Sequence, residues 1–240
     1  VAPLPQFAVA AIVAAAGSAW FLRDLPDTHA GAPRPAPSGA GRFWLTGFVI
    51  AVAAISFCSI LVEGGAADWS ALYLRELSHA DPGFAAGGFA GFALAAMLVR
   101  FRADLLTART SPTVVARLGG SIAAAGLLLA IAVPALPGAI IGFALVGLGI
   151  AVLVPLALSA GANLGASGTA LTLVLVVGYA GSIAGPAMIG NAADRIGLRV
   201  AMGIPLAAAF VIIALARSLN TEPAREAGPA AAAGPRPGKG

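Results

Sequence analysis

The sequence predicts an all-α integral membrane protein with seven transmembrane helices. Two observations carry that prediction. Of the 240 residues, 59% are hydrophobic and only 10% are charged, where a soluble domain carries about 25% charged residues. The apolar residues fall in continuous runs of bilayer-crossing length, about 20 residues each, with no alternation of the kind a membrane barrel strand needs. Glycine and proline are abundant, 31 and 17 residues, which suits membrane helices better than soluble ones. The same numbers exclude disorder for the bulk of the chain.

The first run extends from about Leu4 to Leu22. Residues 23–42, rich in Pro, Gly and Ala, read as a flexible linker. The second run begins at Phe43, is unbroken to Val62 and continues more weakly to about Leu77. The third covers about Gly83–Phe101 and the fourth about Thr113–Val133, closed by a short turn between Pro134 and Pro137. The fifth covers about Gly138–Leu158, the sixth about Thr169–Ala192 and the seventh about Arg199–Ala216. Residues 220–240 are Pro, Ala, Gly and charge, and read as a disordered tail.

Cationic residues accumulate on the cytoplasmic side of membrane proteins. With seven spans, 11 of the 14 Lys and Arg fall on the side that holds Arg100, Arg102, Arg109, Arg117 and the C-terminus. Only Arg75, Arg195 and Arg199 fall opposite. This bias predicts a cytoplasmic C-terminus. A chain that opens at Val1 in mid-helix, without Met, reads as the C-terminal part of a longer protein.

Small residues crowd the spans, among them Gly142, Gly147 and Gly149 in the fifth and Gly178, Gly181, Gly185 and Gly190 in the sixth. Their first use is close helix packing. Gly185-Pro186 in mid-span predicts a kink. Acids inside a span are costly, and only the second span offers them, at Glu63 and Asp68. Counted from Phe43 along a straight helix, Glu63 lies about 30 Å on, at the outer boundary. Unwinding at Gly64-Gly65 would draw it inward. On that reading Glu63 and Asp68 line a cavity for solute or protons, and Trp69 and Tyr73, four apart on one face, offer a stacking surface. Asp68 and Arg75, seven apart, share a face and are placed to pair.

Three stretches resemble the major facilitator superfamily of transporters. Arg100, Asp104, Arg109 and Arg117, between the third and fourth spans, are similar to the family's cytoplasmic loop signature, with Val99, Leu105 and Ser111 departing from it. The run Gly178-Tyr-Ala-Gly181-x-x-x-Gly185-Pro186-x-x-x-Gly190, followed by Asp194 and Arg199, resembles the eleventh helix of many members. Residues 67–75 resemble the seventh helix of the fucose-permease-like branch.

The resemblance implies that six of the seven spans form one half of a twelve-helix bundle, with inverted three-helix repeats. Residues 1–22 would be the last helix of an N-terminal half, 23–42 a cytoplasmic linker, 43–219 the C-terminal half and 220–240 a cytoplasmic tail. It implies a secondary active, proton-coupled transporter of a small solute, working by alternating access in a bacterial inner membrane. The partners would be solute, protons, lipid and the N-terminal half. Arg100, Asp104 and Arg109 would form a gating loop, while Gly181, Gly185 and Pro186 would serve kinking and packing.

Other classes fit less well. No G-x-x-x-x-G-K-[ST] loop is present. A retinal-type receptor needs a membrane lysine, and the one lysine is Lys239 in the tail. A channel or a membrane-embedded enzyme stands as the alternative. Cys58 is the one cysteine, and no cofactor, metal site or nucleic-acid surface is expected.

Overall fold

The computed structural model describes residues 12, 15, 16, 47–103, 110–163 and 168–219. Residues 1–36 form a unit of their own, in which the described positions are helical. Everything below concerns the second unit. The first apolar run, the linker, the tail, Asp104 and Arg109 lie outside the described residues.

Six membrane-capable helices are present among the described residues. They are α1 (Gly47–Leu77), α2 (Pro82–Arg100), α3 (Pro112–Ala132), a broken span made of α4 (Leu136–Ile150) and α5 (Leu153–Asn163), α6 (Thr169–Ile196), and a last span made of α7 (Leu198–Ala201), α8 (Gly203–Leu215) and a 3₁₀ turn, Ala216–Leu219. Proline starts α2 and α3, at Pro82 and Pro112, where its missing N–H leaves no bond unmade.

Contacts between helices fix their directions. Gly178 meets Ser56, Gly181 meets Phe57 and Gly185 meets Leu61, so α6 runs parallel to α1. Gly126 meets Gly142 and Gly119 meets Gly149, so α3 and α4 are antiparallel. Gly91 meets Ile140 and Gly147 meets Phe92, so α2 and α4 are parallel. Each span thus reverses its predecessor, as successive crossings of one bilayer must. Four of these contacts, Gly119–Gly149, Gly126–Gly142, Gly147–Phe92 and Gly181–Phe57, put a backbone carbonyl oxygen too close for any Cβ. A Cβ on Gly142 would lie 2.6 Å from the Gly126 carbonyl oxygen, and one on Gly181 would lie 2.6 Å from that of Phe57. At Gly185 the nearest atom would be 3.5 Å away, an ordinary contact.

One expectation about local structure needs correction. α1 runs unbroken through Gly64-Gly65. Gly65 packs against Ile189 and Pro205, so its lack of a side chain serves approach between helices and not unwinding. α6 holds Pro186 in its interior, where the sequence placed it. Spans are interrupted at Ala151–Val152 in the fifth and at Met202 in the last, in each case just before a proline, Pro155 and Pro205.

Side chains from other helices cap the carbonyls that end α3. Pro134 has no N–H to give the Ala130 carbonyl, and the Tyr73 hydroxyl donates to it at 2.8 Å. Arg199 Nε donates to Ile131 O at 2.8 Å and its Nη2 to Ala132 O at 3.4 Å. Ser78 Oγ donates to Pro134 O. A cation at a helix C-terminus is favoured by the helix dipole. This Arg199 end ties α1, α3 and α7 together.

Candidate functional site

A cavity of about 240 Å³ opens between α1, α5 and α6. α1 contributes Ser56, Ile60 and Glu63, which recur every three to four residues and so share one face. α5 contributes Val154 and Leu158, and α6 contributes Leu175, Tyr179 and Ser182. The walls are apolar except for one carboxylate, two serines and a phenol. Ser182 Oγ is turned to the Tyr179 carbonyl at 2.7 Å. Ser56 is 1% exposed, and its Oγ has no partner among the described residues. That oxygen is enclosed, packed against Gly178 of α6.

Glu63 sits at one end of this cavity. Its Oε1 accepts from Arg100 Nη2 at 2.7 Å, the ion pair found among the described residues. Both side chains are part-exposed, 31% for Glu63 and 53% for Arg100. Arg100 also donates from Nε to the Ala151 carbonyl at 3.3 Å. The other titratable groups near Glu63 are Tyr179 across the cavity and Asp68, five residues further along α1. The α5 wall supplies only Val154 and Leu158.

α1 has 31 residues, about 46 Å, which is longer than the hydrocarbon core, and Glu63 falls near its middle. Glu63 is level with the C-terminal end of α2, about 21 Å short of the end of α1. For the same reason Arg100 does not stand apart from Glu63 as a loop residue. It ends an apolar run, but its long side chain reaches back along the bundle.

The other sequence candidates separate. Asp68 is exposed, and its expected pairing with Arg75 is not among the ion pairs of the described residues. Two helical turns, about 10.5 Å, lie between them. Trp69 packs its ring on Gly190 of α6, and its Nε1 is buried without a partner among the described residues. Tyr73 does not face the cavity. It is fully buried, bonded to Ala130 and edge-on to Phe143 at a centroid separation of 5.7 Å. Trp69 and Tyr73 share a face of α1, but α6 covers one and α3 and α4 cover the other, so no joint stacking surface exists.

Sequence reasoning missed Tyr179, Ser56 and Pro155. Tyr179 lies inside the glycine run of the sixth span, where packing drew the attention. Pro155 follows four residues after Ala151, a spacing that marks the Ala151 carbonyl as one without a helical donor.

These features describe a multi-pass helical membrane protein with a largely apolar cavity among its spans, lined by one acid. No family model matches the chain. It is 33% identical over 177 residues to the membrane protein MosC of Rhizobium meliloti, covering 70% of this chain and 44% of that protein. It is 36% identical over 177 residues to an MFS-type transporter of Yersinia pestis, covering 72% of this chain and 46% of that protein. It is also 36% identical over 171 residues to the transporter y4wD of Sinorhizobium fredii, covering 70% of this chain and 45% of that one. The chain thus spans about half the length of the curated relatives it matches. Its fold is similar to that of FucP, a major facilitator superfamily transporter solved in its outward conformation. The TM-score is 0.72 at 22% identity, over 91% of this chain and 54% of that one. In sequence and fold the chain corresponds to the C-terminal half of a major facilitator superfamily transporter.

Proposed function

We propose that the chain forms one wall of a secondary active transporter that couples proton movement to passage of a small solute by alternating access. The cavity between α1, α5 and α6 would be this half's share of the solute site, and an N-terminal half would supply the facing wall. The domain division at residues 22, 42 and 219, the bacterial inner membrane and a cytoplasmic C-terminus are parts of the same reading. The arginine bias supports that sidedness, since the Arg100 end carries most of the cationic residues.

One observation carries the proposal: an acid–arginine pair whose acid lines a largely apolar cavity. A carboxylate at membrane depth costs roughly 2.5–3.5 kcal/mol on insertion scales. Arg100 offsets that cost while Glu63 is ionised. Once Glu63 takes a proton the guanidinium loses its counter-charge and is free to move. Protonation of Glu63 and the disposition of Arg100 are therefore linked, which is the property a coupling site needs. Tyr179 and Ser182 offer a solute hydroxyl and aromatic contacts. The alternating-access reading is preferred to a channel or an enzyme because the similar proteins whose names state an activity are named transporters.

The test uses the complete protein in proteoliposomes, with Glu63→Gln assayed for proton-driven uptake and for solute exchange without a gradient. Loss of driven uptake with exchange retained is expected. Unchanged behaviour in both assays would remove Glu63 from coupling.

A further inference from the structure

α3 and the last span pack side by side, and two arginines stand at one end of their seam. Gly120 of α3 lies against Ala209, Ile212 and Ile213 of α8, and Thr113 Oγ1 donates to the Ala216 carbonyl at 3.2 Å, so the two helices are antiparallel. Arg117 comes one turn after Thr113, and Arg217 directly follows Ala216. Each therefore lies further round its helix, in the sense of the chain, than the residue that makes the contact. In antiparallel right-handed helices that shared sense leads to one side of the seam, so both arginines flank the same furrow. A helical Cβ tilts toward the helix start, which carries the Arg117 side chain toward the level of Arg217.

Both arginines are exposed, and neither has a hydrogen-bond or ion-pair partner among the described residues. The acids among the described residues lie elsewhere. Glu63 is held by Arg100, Asp68 is further along α1, and Glu76, Asp81 and Asp194 are at the opposite, Arg199 end. Arg117 is moreover the sixth residue of α3, inside a span, where a charge without a counter-charge is costly. Past the arginines the furrow turns apolar. Ser121 and Leu128 follow Arg117 along one face of α3, and Phe210 precedes Arg217 on α8 by two turns. Leu128 and Phe210 are about half exposed, at 48% and 52%.

We propose that this end of the α3–α8 furrow binds one anionic phospholipid, its phosphodiester held between Arg117 and Arg217 and an acyl chain laid along Leu128 and Phe210. Guanidinium forks match phosphate oxygens in pairs, and basic pockets between membrane helices take anionic headgroups. Two cations without an acid favour a lipid of net negative charge over a zwitterionic one. The bound headgroup bridges α3 and the last span from the lipid side. The site requires a chain that spans a bilayer and is independent of the transport reading.

The test is native mass spectrometry of the complete protein in detergent, titrated with phosphatidylglycerol or with phosphatidylcholine. A retained phosphatidylglycerol adduct is expected, with phosphatidylcholine bound several-fold more weakly. Arg117→Gln and Arg217→Gln should each weaken the phosphatidylglycerol adduct about fivefold, and the double variant should lose the preference. Arg102→Gln removes the same charge from the exposed end of α2, outside the seam, and should change nothing. Equal binding of the two lipids by the unaltered protein would overturn the site without any variant. So would an Arg102→Gln loss as large as the others, which would mean surface attraction only. Displacement of the adduct by millimolar inorganic phosphate would show a free-anion site and overturn the lipid. Stronger binding after Glu222→Gln with Glu226→Gln would mean that the chain's own acids serve the arginines, and would overturn it too. None of these outcomes touches the Glu63 uptake assay, which decides transport separately.

Discussion

Deleting the Tyr73 hydroxyl should weaken the fold and leave solute recognition alone. Tyr73 has no exposed surface, and its hydroxyl is the donor to the Ala130 carbonyl at 2.8 Å. Pro134 cannot supply that bond, so Tyr73→Phe leaves a buried acceptor empty. Hydrogen bonds between membrane helices average about 0.6 kcal/mol and reach about 1.7, while a buried unpaired acceptor costs about 1–3 kcal/mol. About 1–2 kcal/mol is therefore expected, since the ring and its edge-on contact with Phe143 are kept. For a bundle of this size that lowers the melting temperature by about 2–8 °C. Tyr73→Ala also empties the space of the ring and should cost about 3–5 kcal/mol. The assay is thermal unfolding of the detergent-solubilised protein, run beside KM for uptake. A Tyr73→Phe variant with unchanged melting temperature and a KM raised tenfold would refute the reasoning and return Tyr73 to the solute site.

Two further outcomes follow from the same geometry. Gly181→Ala would press a methyl within 2.6 Å of the Phe57 carbonyl and should destabilise by about 1–3 kcal/mol. Gly64→Ala meets nothing closer than Asp68 Oδ2 at 3.9 Å and should stabilise by about 0.4–1 kcal/mol. Melting curves of the pair check both, and a destabilised Gly64→Ala would contradict an unbroken α1. Asp104→Asn, in the loop that resembles the family signature, should slow maximal uptake with solute affinity kept within a few-fold. A large affinity loss at normal maximal rate would argue against a gating loop.

The spans were legible because each is an apolar run closed by Pro, Gly or charge, as at Pro82, Pro112 and Gly168. The break in the fifth span was hidden because Ala151 and Val152 are as apolar as their neighbours, and the signal was a single Pro155 among leucines and valines. The site was legible in part. Glu63 stood out by its cost in lipid, and Arg100 by its charge, but nothing in their spacing of 37 residues links them. That link depends on α1 and α2 being antiparallel and on α1 being longer than its partner. Tyr73 and Trp69 were indistinguishable by period, since residues four apart share a face until the packing of three other helices assigns them different neighbours.

The parallel course of α1 and α6 bears on how the protein is made. Parallel neighbours cannot be joined by a tight turn, and the residues that pack along this seam, such as Ser56 and Gly178, are 122 positions apart. Contacts of such separation form late, and chains are synthesised from the N-terminus. α1 must therefore wait in the bilayer through the synthesis of four more helical segments before the seam closes. Glu63 does not wait as long. Its counter-charge arrives at the end of the very next helix, so the acid is compensated early in biogenesis, well before the cavity it lines has its third wall.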